Sequence, residues 1–307
     1  MRTAIIDMGT NTFHLLVVER SDDDYEILLR ERLAVRVGVG GINRNVITDE
    51  AIDRALSALK SFKAMINDFR VTEVFAFGTS ALRNAHNGPD VISRIKEETG
   101  IETKIISGDE EADYIFHGVN LALKFGKEKA MVIDIGGGSV EFIIGNSETI
   151  FWKQSFEIGA QRLLERFHQH DPILLTELES VTQYLKESLP PLFEALEIYK
   201  PQVLAGSSGT FDTLSDIYCV RSGIPLADAS ETPLTIQGFK EIYPEIISKS
   251  RADRMKIPGM IELRVDMIVV ACCLIKFVID HFHFDKIRVS SFSLKEGVLA
   301  TLLGEKS

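Results

Sequence analysis

The sequence predicts an α/β protein with mixed sheets, built from two related halves that face one anion site. Two observations carry this. A strand–turn–strand phrase occurs twice, once over residues 4–13 (AIIDMGTNTF) running on into 15–18, and again over residues 131–140 (MVIDIGGGSV) running on into 142–144. Around the two copies, apolar runs of strand length alternate with segments of helical periodicity, which is the pattern of layered sheets and helices. The chain has 307 residues, enough for two domains with separate cores.

Taken in order, the first hairpin leads through residues 25–29 to 34–38, completing three strands. Gly38-Val39-Gly40-Gly41 has the look of a dinucleotide loop, but no helix opens on it, so it is read as a strand end. A helix follows over 49–69, with Thr48 as its cap and Ile52, Leu56, Leu59, Phe62, Ile66 and Phe69 on one face. A strand at 71–77 and a helical turn at 79–85 come next. Asn87-Gly88-Pro89 interrupts, and a second helix ends near Gly100. Strand 102–106 feeds a helix over 108–124, where Ser107 and Glu110 have capping-box spacing.

The second hairpin is followed by a strand at 150–154, a helix over 159–168 and a longer helix from Thr176 to about Pro190-Pro191. A strand at 202–204 enters the 205–210 loop and a further helix. Residues 222–232 read as loop. A helix over 262–281, a strand at 286–289 and a last helix from 293 close the chain. The division expected is 1–124 and 125–292, with the terminal helix 293–307 joined to the first half.

Each hairpin turn carries chemistry. Glycine relieves the steric limit on the turn, so that backbone N–H groups converge on an anion. Gly9, Thr10, Asn11 and Thr12 in the first copy, and Gly136, Gly137, Gly138 and Ser139 in the second, are therefore candidate phosphate ligands. The aspartates ending the two strands, Asp7 and Asp134, are placed to hold a metal through water. Arg83 follows a Gly-Thr-Ser turn at a helix start, where its planar fork suits phosphate oxygens. Lys295 near a helix N-terminus opposes the macrodipole unless an anion, or its neighbour Glu296, lies close.

Bulk properties narrow the classes. A net charge of −11 argues against non-specific nucleic-acid binding. The most apolar stretch, 267–279, is too short and too charged at its edges to span a bilayer, and no signal peptide is visible. Cys219, Cys272 and Cys273 have neither disulfide nor metal spacing, so reduced core thiols and a cytoplasmic setting are expected. The pairs His168-x-His170 and His281-x-His283 do not share a helix face and are not read as metal ligands. No membrane or nucleic-acid partner is expected, and a homodimer is left open.

The motifs together resemble those of the exopolyphosphatase/guanosine pentaphosphate phosphatase (Ppx/GppA) family, within the actin/sugar-kinase/heat-shock-ATPase superfamily. Beside the two turns, the residues that carry the likeness are Gly78-Thr-Ser-Ala-Leu-Arg-Asn-Ala85, Ile106-Ser-Gly-Asp-Glu-Glu-Ala112 and Ala205-Gly-Ser-Ser-Gly-Thr210. Pro258-Gly-Met260 with Arg264-Val-Asp266, and Leu294-Lys-Glu-Gly-Val-Leu299, follow in the family's order. The resemblance implies two ribonuclease-H-like (actin-like ATPase) domains with a cleft between them. It also implies a Mg²⁺-dependent hydrolase that releases terminal orthophosphate from inorganic polyphosphate, pppGpp or both. By resemblance Glu111, with no capping duty of its own, orients or deprotonates the attacking water. Asp134 and Glu141 help to hold Mg²⁺ with Asp7 facing them, and Ser208, Gly209, Thr210 and Lys295 join the phosphate contacts.

Several positions depart from the pattern. Residues 290–297 read SSFSLKEG where a Gly and an Arg are usual at 293 and 295. Leu263 replaces a Glu, and Val140 replaces a Thr. A non-hydrolytic polyphosphate or alarmone sensor is the alternative reading, since it needs the turns but no base. A sugar or acetate kinase would need an acceptor pocket with its own base, for which no motif is seen.

Overall fold

A computed structural model describes residues 1–21 and 24–304. Strands β1 (Arg2–Met8), β2 (Thr12–Arg20) and β3 (Tyr25–Ala34) form an antiparallel meander. Helix α1 (Asp49–Asp68) begins at Thr48, whose hydroxyl accepts from the Ala51 N–H, and it buries Ile52, Leu56, Leu59, Phe62 and Ile66. Then come β4 (Glu73–Gly78), α2 (Ser80–Asn84), α3 (Gly88–Thr99), β5 (Thr103–Ile105) and α4 (Gly108–Leu123). The first sheet has the order β3-β2-β1-β4-β5, with β4 parallel to β1.

The second half repeats the scheme. Strands β6 (Ala130–Ile135), β7 (Val140–Gly145) and β8 (Ile150–Phe156) form its meander. Helices α5 (Ala160–Phe167), α6 (Leu175–Ser188) and α7 (Pro190–Tyr199) lead to β9 (Val203–Ser207), which is parallel to β6. Helix α8 (Ser208–Ser222), the short β10 (Glu231–Thr232), α9 (Ile236–Ser248), α10 (Arg251–Arg254), α11 (Ile268–His281), β11 (Lys286–Ser290) and α12 (Leu294–Gly304) complete the described chain. The second sheet runs β10-β11-β9-β6-β7-β8. β6 and β9 thus stand to their sheet as β1 and β4 stand to theirs, and the repeated phrase in the sequence is a repeated topology. The fold is a pair of ribonuclease-H-like, actin-like halves with mixed sheets.

Helices α4 and α12 pack in a core that draws on both sheets. Ile115, Phe116 and Val119 of α4 and Val298 and Leu299 of α12 meet Ile5 and Leu16 of one sheet, and Val132 and Ile143 of the other. Residues 305–307, expected in the last helix, lie outside the described residues.

Four expectations about elements are corrected. The third strand is continuous over Tyr25–Ala34 and stops there; residues 35–38 are not strand. The N–H groups of Val35 and Arg36 donate to the Asn11 carbonyl, and that of Gly38 to the Thr10 carbonyl, so this segment closes over the first turn instead of pairing in a ladder. Helix α6 ends at Ser188, next to Pro190 as expected, but Pro190 also opens a further helix, α7, that was not anticipated, because a residue without an N–H is tolerated at a first helical position. The helix expected from 262 starts at Ile268, and the Val265 carbonyl is taken by the Arg254 guanidinium at 3.0 Å. Helices α9 and α10 were not anticipated.

Candidate active site

The two turns meet across a narrow cleft, and glycine is what lets them. A Cβ on Gly137 would run into the Asn11 side chain, and one on Gly138 would lie 2.7 Å from the Thr10 hydroxyl oxygen and against Ser80. The second turn is fixed from behind by the start of α5. The Ala160 N–H donates to the Gly136 carbonyl, and the Gln161 N–H to the Gly137 carbonyl, both at 2.9 Å. That leaves the outer faces of the turns toward the cleft.

Of the residues predicted for the site, Asp7, Gly9, Thr10, Asn11, Thr12, Glu111, Asp134, Gly136, Gly137, Gly138, Ser139 and Ser208 line one cavity of about 80 Å³. Arg83, Glu141, Gly209, Thr210 and Lys295 do not line it. Glu141 lies just behind, paired with Asp134 across the β6–β7 hairpin and accepting from the Ser155 hydroxyl at 2.6 Å. Gly209 packs against the Arg264 guanidinium, and Thr210 is buried in α8. The Lys295 ammonium is 3.1 Å from the Glu296 carboxylate, which resolves its unfavourable place at a helix start. Arg83 borders a neighbouring groove with Ser107, Ser155 and Glu157. Its Nη1 donates to Glu111 Oε2 at 2.8 Å and to the Ile106 carbonyl at 3.1 Å.

Glu110 and Glu111 divide as their spacing suggests. Glu110 completes a capping box with Ser107 and pairs with Lys104, whereas Glu111 is buried at the cavity wall. Burial pushes the Glu111 carboxyl up to about 7 against the pull of Arg83. Asp7 is likewise pushed to about 7, by burial and by Asp134, with Lys295 opposing. Glu141 is driven well above the usual carboxylate range by burial, then by Glu111 and Asp134.

Asp134 is held differently. Its carboxylate accepts from three serine hydroxyls, Ser207 and Ser208 at 2.7 Å and Ser293 at 2.6 Å. Ser208 adopts φ 69°, a left-handed conformation costly for a residue with a Cβ, at the junction of β9 and α8. Ser293 is one of the departures noted in the sequence, and the missing glycine has become a hydrogen-bond donor to the central aspartate.

Several cavity residues were not predicted: His14, Thr79, Ser80, Arg264 and Ser293. Arg264 and Ser80 lie inside phrases that were recognised, and Ser293 inside a recognised departure, so each had a signal. His14 had none. The Arg264 Nε is buried without a partner among the described residues, as is Asn11 Oδ1. A buried guanidinium nitrogen with nothing to donate to is suited to an anion entering the cleft.

Asp7, Glu111, Asp134 and Glu141 gather four carboxylates with Arg83 and Lys295 as nearby cations. This hard oxygen donor set suits Mg²⁺. Among the described residues no three His, Cys, Asp or Glu side chains converge as a ready cage. Mg²⁺ does not require one, because it keeps several waters and binds one or two carboxylates together with substrate phosphate. The donor set fits the ion on those terms.

The Ppx/GppA phosphatase family model matches residues 16–306, and the chain belongs to that family. Among solved structures it is similar to an exopolyphosphatase from Cytophaga hutchinsonii, with 44% identity and a TM-score of 0.96, covering 99% of this chain and 98% of that one. It is also similar to a PPX-GPPA enzyme from Aquifex aeolicus, with 25% identity and a TM-score of 0.80, covering 98% and 99%. These likenesses support a phosphatase. No helix of the described residues is long and apolar enough to cross a membrane.

Proposed function

We propose that this protein is a Mg²⁺-dependent phosphoanhydride hydrolase that removes terminal orthophosphate from inorganic polyphosphate, with pppGpp as a second substrate of the same chemistry. The observation that carries the reading is Glu111, a buried carboxylate gripped by Arg83 at 2.8 Å on the wall of a cleft lined by two N–H-rich turns. The exopolyphosphatase likeness at 44% identity supports the substrate class.

In this mechanism the terminal phosphoryl group enters between the turns. Backbone N–H groups of residues 10–12 and 136–139, with the Thr10, Thr12 and Ser139 hydroxyls, surround its oxygens, where preorganised donors stabilise developing charge, while the Gly9 N–H closes the first turn on the Thr12 carbonyl at 3.1 Å. Glu111 accepts a proton from the attacking water as the new P–O bond forms and the bridging P–O bond breaks. The shortened chain leaves with the electron pair of that bridge. Arg83 fixes the Glu111 carboxylate through a directional donor. Asp7, Asp134 and Glu141 are the residues that would hold Mg²⁺, which when bound supplies positive charge to phosphate oxygens.

The test is orthophosphate release from long-chain polyphosphate and from pppGpp, each with and without Mg²⁺. Metal-dependent release from polyphosphate is expected. Tight binding of either compound with no release would favour the sensor reading instead.

A further inference from the structure

The two terminal nitrogens of Arg83 are held by different halves of the molecule. Nη1 belongs to the first half, donating to Glu111 Oε2 at 2.8 Å and to the Ile106 carbonyl at 3.1 Å. Nη2 reaches across to the second half, where it lies 3.3 Å from Glu157 Oε1. Glu157 directly follows β8 and belongs to no motif of the sequence. Its other oxygen, Oε2, accepts from the Ser80 hydroxyl at 2.6 Å and from Arg162 Nη2 at 3.1 Å. One carboxylate therefore joins two residues of α2 to a residue of α5.

The backbone that carries Glu157 is tied to the second phosphate turn. Two residues on, the Gly159 N–H donates to the Gly138 carbonyl at 3.1 Å, and a Cβ on Gly159 would lie 2.4 Å from the Gly137 carbonyl oxygen. A shift of that turn is thus passed to Glu157, and from Glu157 to Arg83.

Glu157 is not placed to touch substrate. It borders the outer groove with Arg83, Ser107 and Ser155, and it does not line the cleft between the turns. Its side chain is 40% exposed, so its ion pair with Arg83 adds little to the stability of the fold. What the pair supplies is direction. Both first-half contacts of Arg83 run through Nη1 and leave the guanidinium free to pivot about that nitrogen. A bond at Nη2 fixes its plane. Because Nη1 grips Glu111, fixing that plane fixes the carboxylate that receives the proton from water, and a misplaced base costs turnover more than binding.

We propose that Glu157 is a positioning residue for the hydrolysis, holding Nη2 of Arg83 from the second half so that Glu111 is oriented in step with the second phosphate turn. This rests on the hydrolase reading above and adds to it a residue that acts without meeting the substrate.

The test uses the full chain with Glu157→Gln, alone and combined with Arg83→Ala. Glutamine keeps the size of the side chain and removes the charge that both arginines meet. Steady-state phosphate release is measured on long-chain polyphosphate with Mg²⁺. Glu157→Gln should lower kcat about tenfold and leave KM within about twofold. In the Arg83→Ala background the same substitution should change kcat by less than about twofold, because its route to Glu111 is gone. A raised KM with kcat unchanged would place the effect in the Arg162 contact, and an equal loss in both backgrounds would show that Glu157 acts by another route. Either result overturns the proposal, as do wild-type kinetics in Glu157→Gln.

A second measurement needs no turnover. Nitrogen NMR of the arginine side chains reads rotation of the Arg83 guanidinium about its Nε–Cζ bond, with Arg83→Ala identifying the signal. Rotation should be about tenfold or more faster in Glu157→Gln than in the wild type, the scale of one lost charge-assisted bond. Equal rates overturn the proposal. If the wild type releases no phosphate, the hydrolase reading fails, and the rotation rates still decide whether Glu157 holds Arg83.

Discussion

Side by side at the head of α4, Glu110 reaches back to the Ser107 N–H at 2.9 Å while Glu111 meets Arg83 at 2.8 Å. Their substitutions should therefore separate cleanly. Glu111→Gln removes the proton acceptor but keeps the shape, and turnover should fall at least about a hundredfold with substrate binding retained. Glu110→Ala should leave turnover intact and cost about 0.5–1 kcal/mol of stability, read from urea unfolding. A dead Glu110 variant beside an active Glu111 variant would reverse the assignment. Asp134 and Glu141 make a second pair. Asp134→Asn or Glu141→Gln should raise the Mg²⁺ concentration needed for half-maximal activity, and an unchanged metal titration in both would remove them from that role.

The contact of α4 with α12 depends on two glycines. A Cβ on Gly297 would strike the Tyr114 carbonyl, and one on Gly118 would strike the Ser293 carbonyl, so neither helix can take a side chain there without moving apart. Because α12 also places Ser293 on Asp134 and Lys295 beside Glu296, separating the helices disturbs the site as well as the core. Gly297→Ala should destabilise the protein by about 1–3 kcal/mol, as overpacking does, although alanine favours an isolated helix. It should also lower activity under conditions where the protein remains folded. Wild-type stability and activity in Gly297→Ala would show that the helices tolerate wider spacing.

Across the whole molecule, Arg162 of α5 fastens the halves together. Its Nη1 donates to the Ile42 carbonyl at 2.7 Å, its Nε to the Gly138 carbonyl at 2.8 Å, and its Nη2 pairs with Glu157 at 3.1 Å. Glu165 adds a bond from the Gly40 N–H at 2.9 Å. One guanidinium thus touches the first half, the second phosphate turn and the acid that also meets Arg83. Arg162→Ala should loosen the approach of the two turns, raising KM several-fold and lowering the melting temperature by a few degrees. Lysine should not rescue it, because a single ammonium cannot replace three directed N–H bonds. Substrate kinetics unchanged in Arg162→Ala would show that the clasp does not shape the cleft.

What the sequence determined by itself was whatever depends on local geometry. The duplicated Asp-turn-strand phrase foretold the duplicated sheet topology, Thr48 marked the start of α1, and the Ser107–Glu110 spacing marked the capping box of α4. Such signals are short range, so the chain states them without knowing its neighbours. Other features were set by distant partners. Residues 35–38 have the composition of a strand, but their N–H groups are claimed by the turn at 10–11. Helix α9 carries Pro244 inside it, which speaks locally against a helix and is overruled by the burial of Phe239, Ile242 and Ile246. The sequence left Lys295 to be answered by an anion or by its neighbour Glu296, and the fold sets it 3.1 Å from that carboxylate, while Ser293 looked like a lost glycine and is a donor to Asp134. Which side chains converge on one cavity depends on how two sheets and two helices pack. That packing is a property of the folded chain, because its contacts join residues more than a hundred positions apart and no local pattern encodes them.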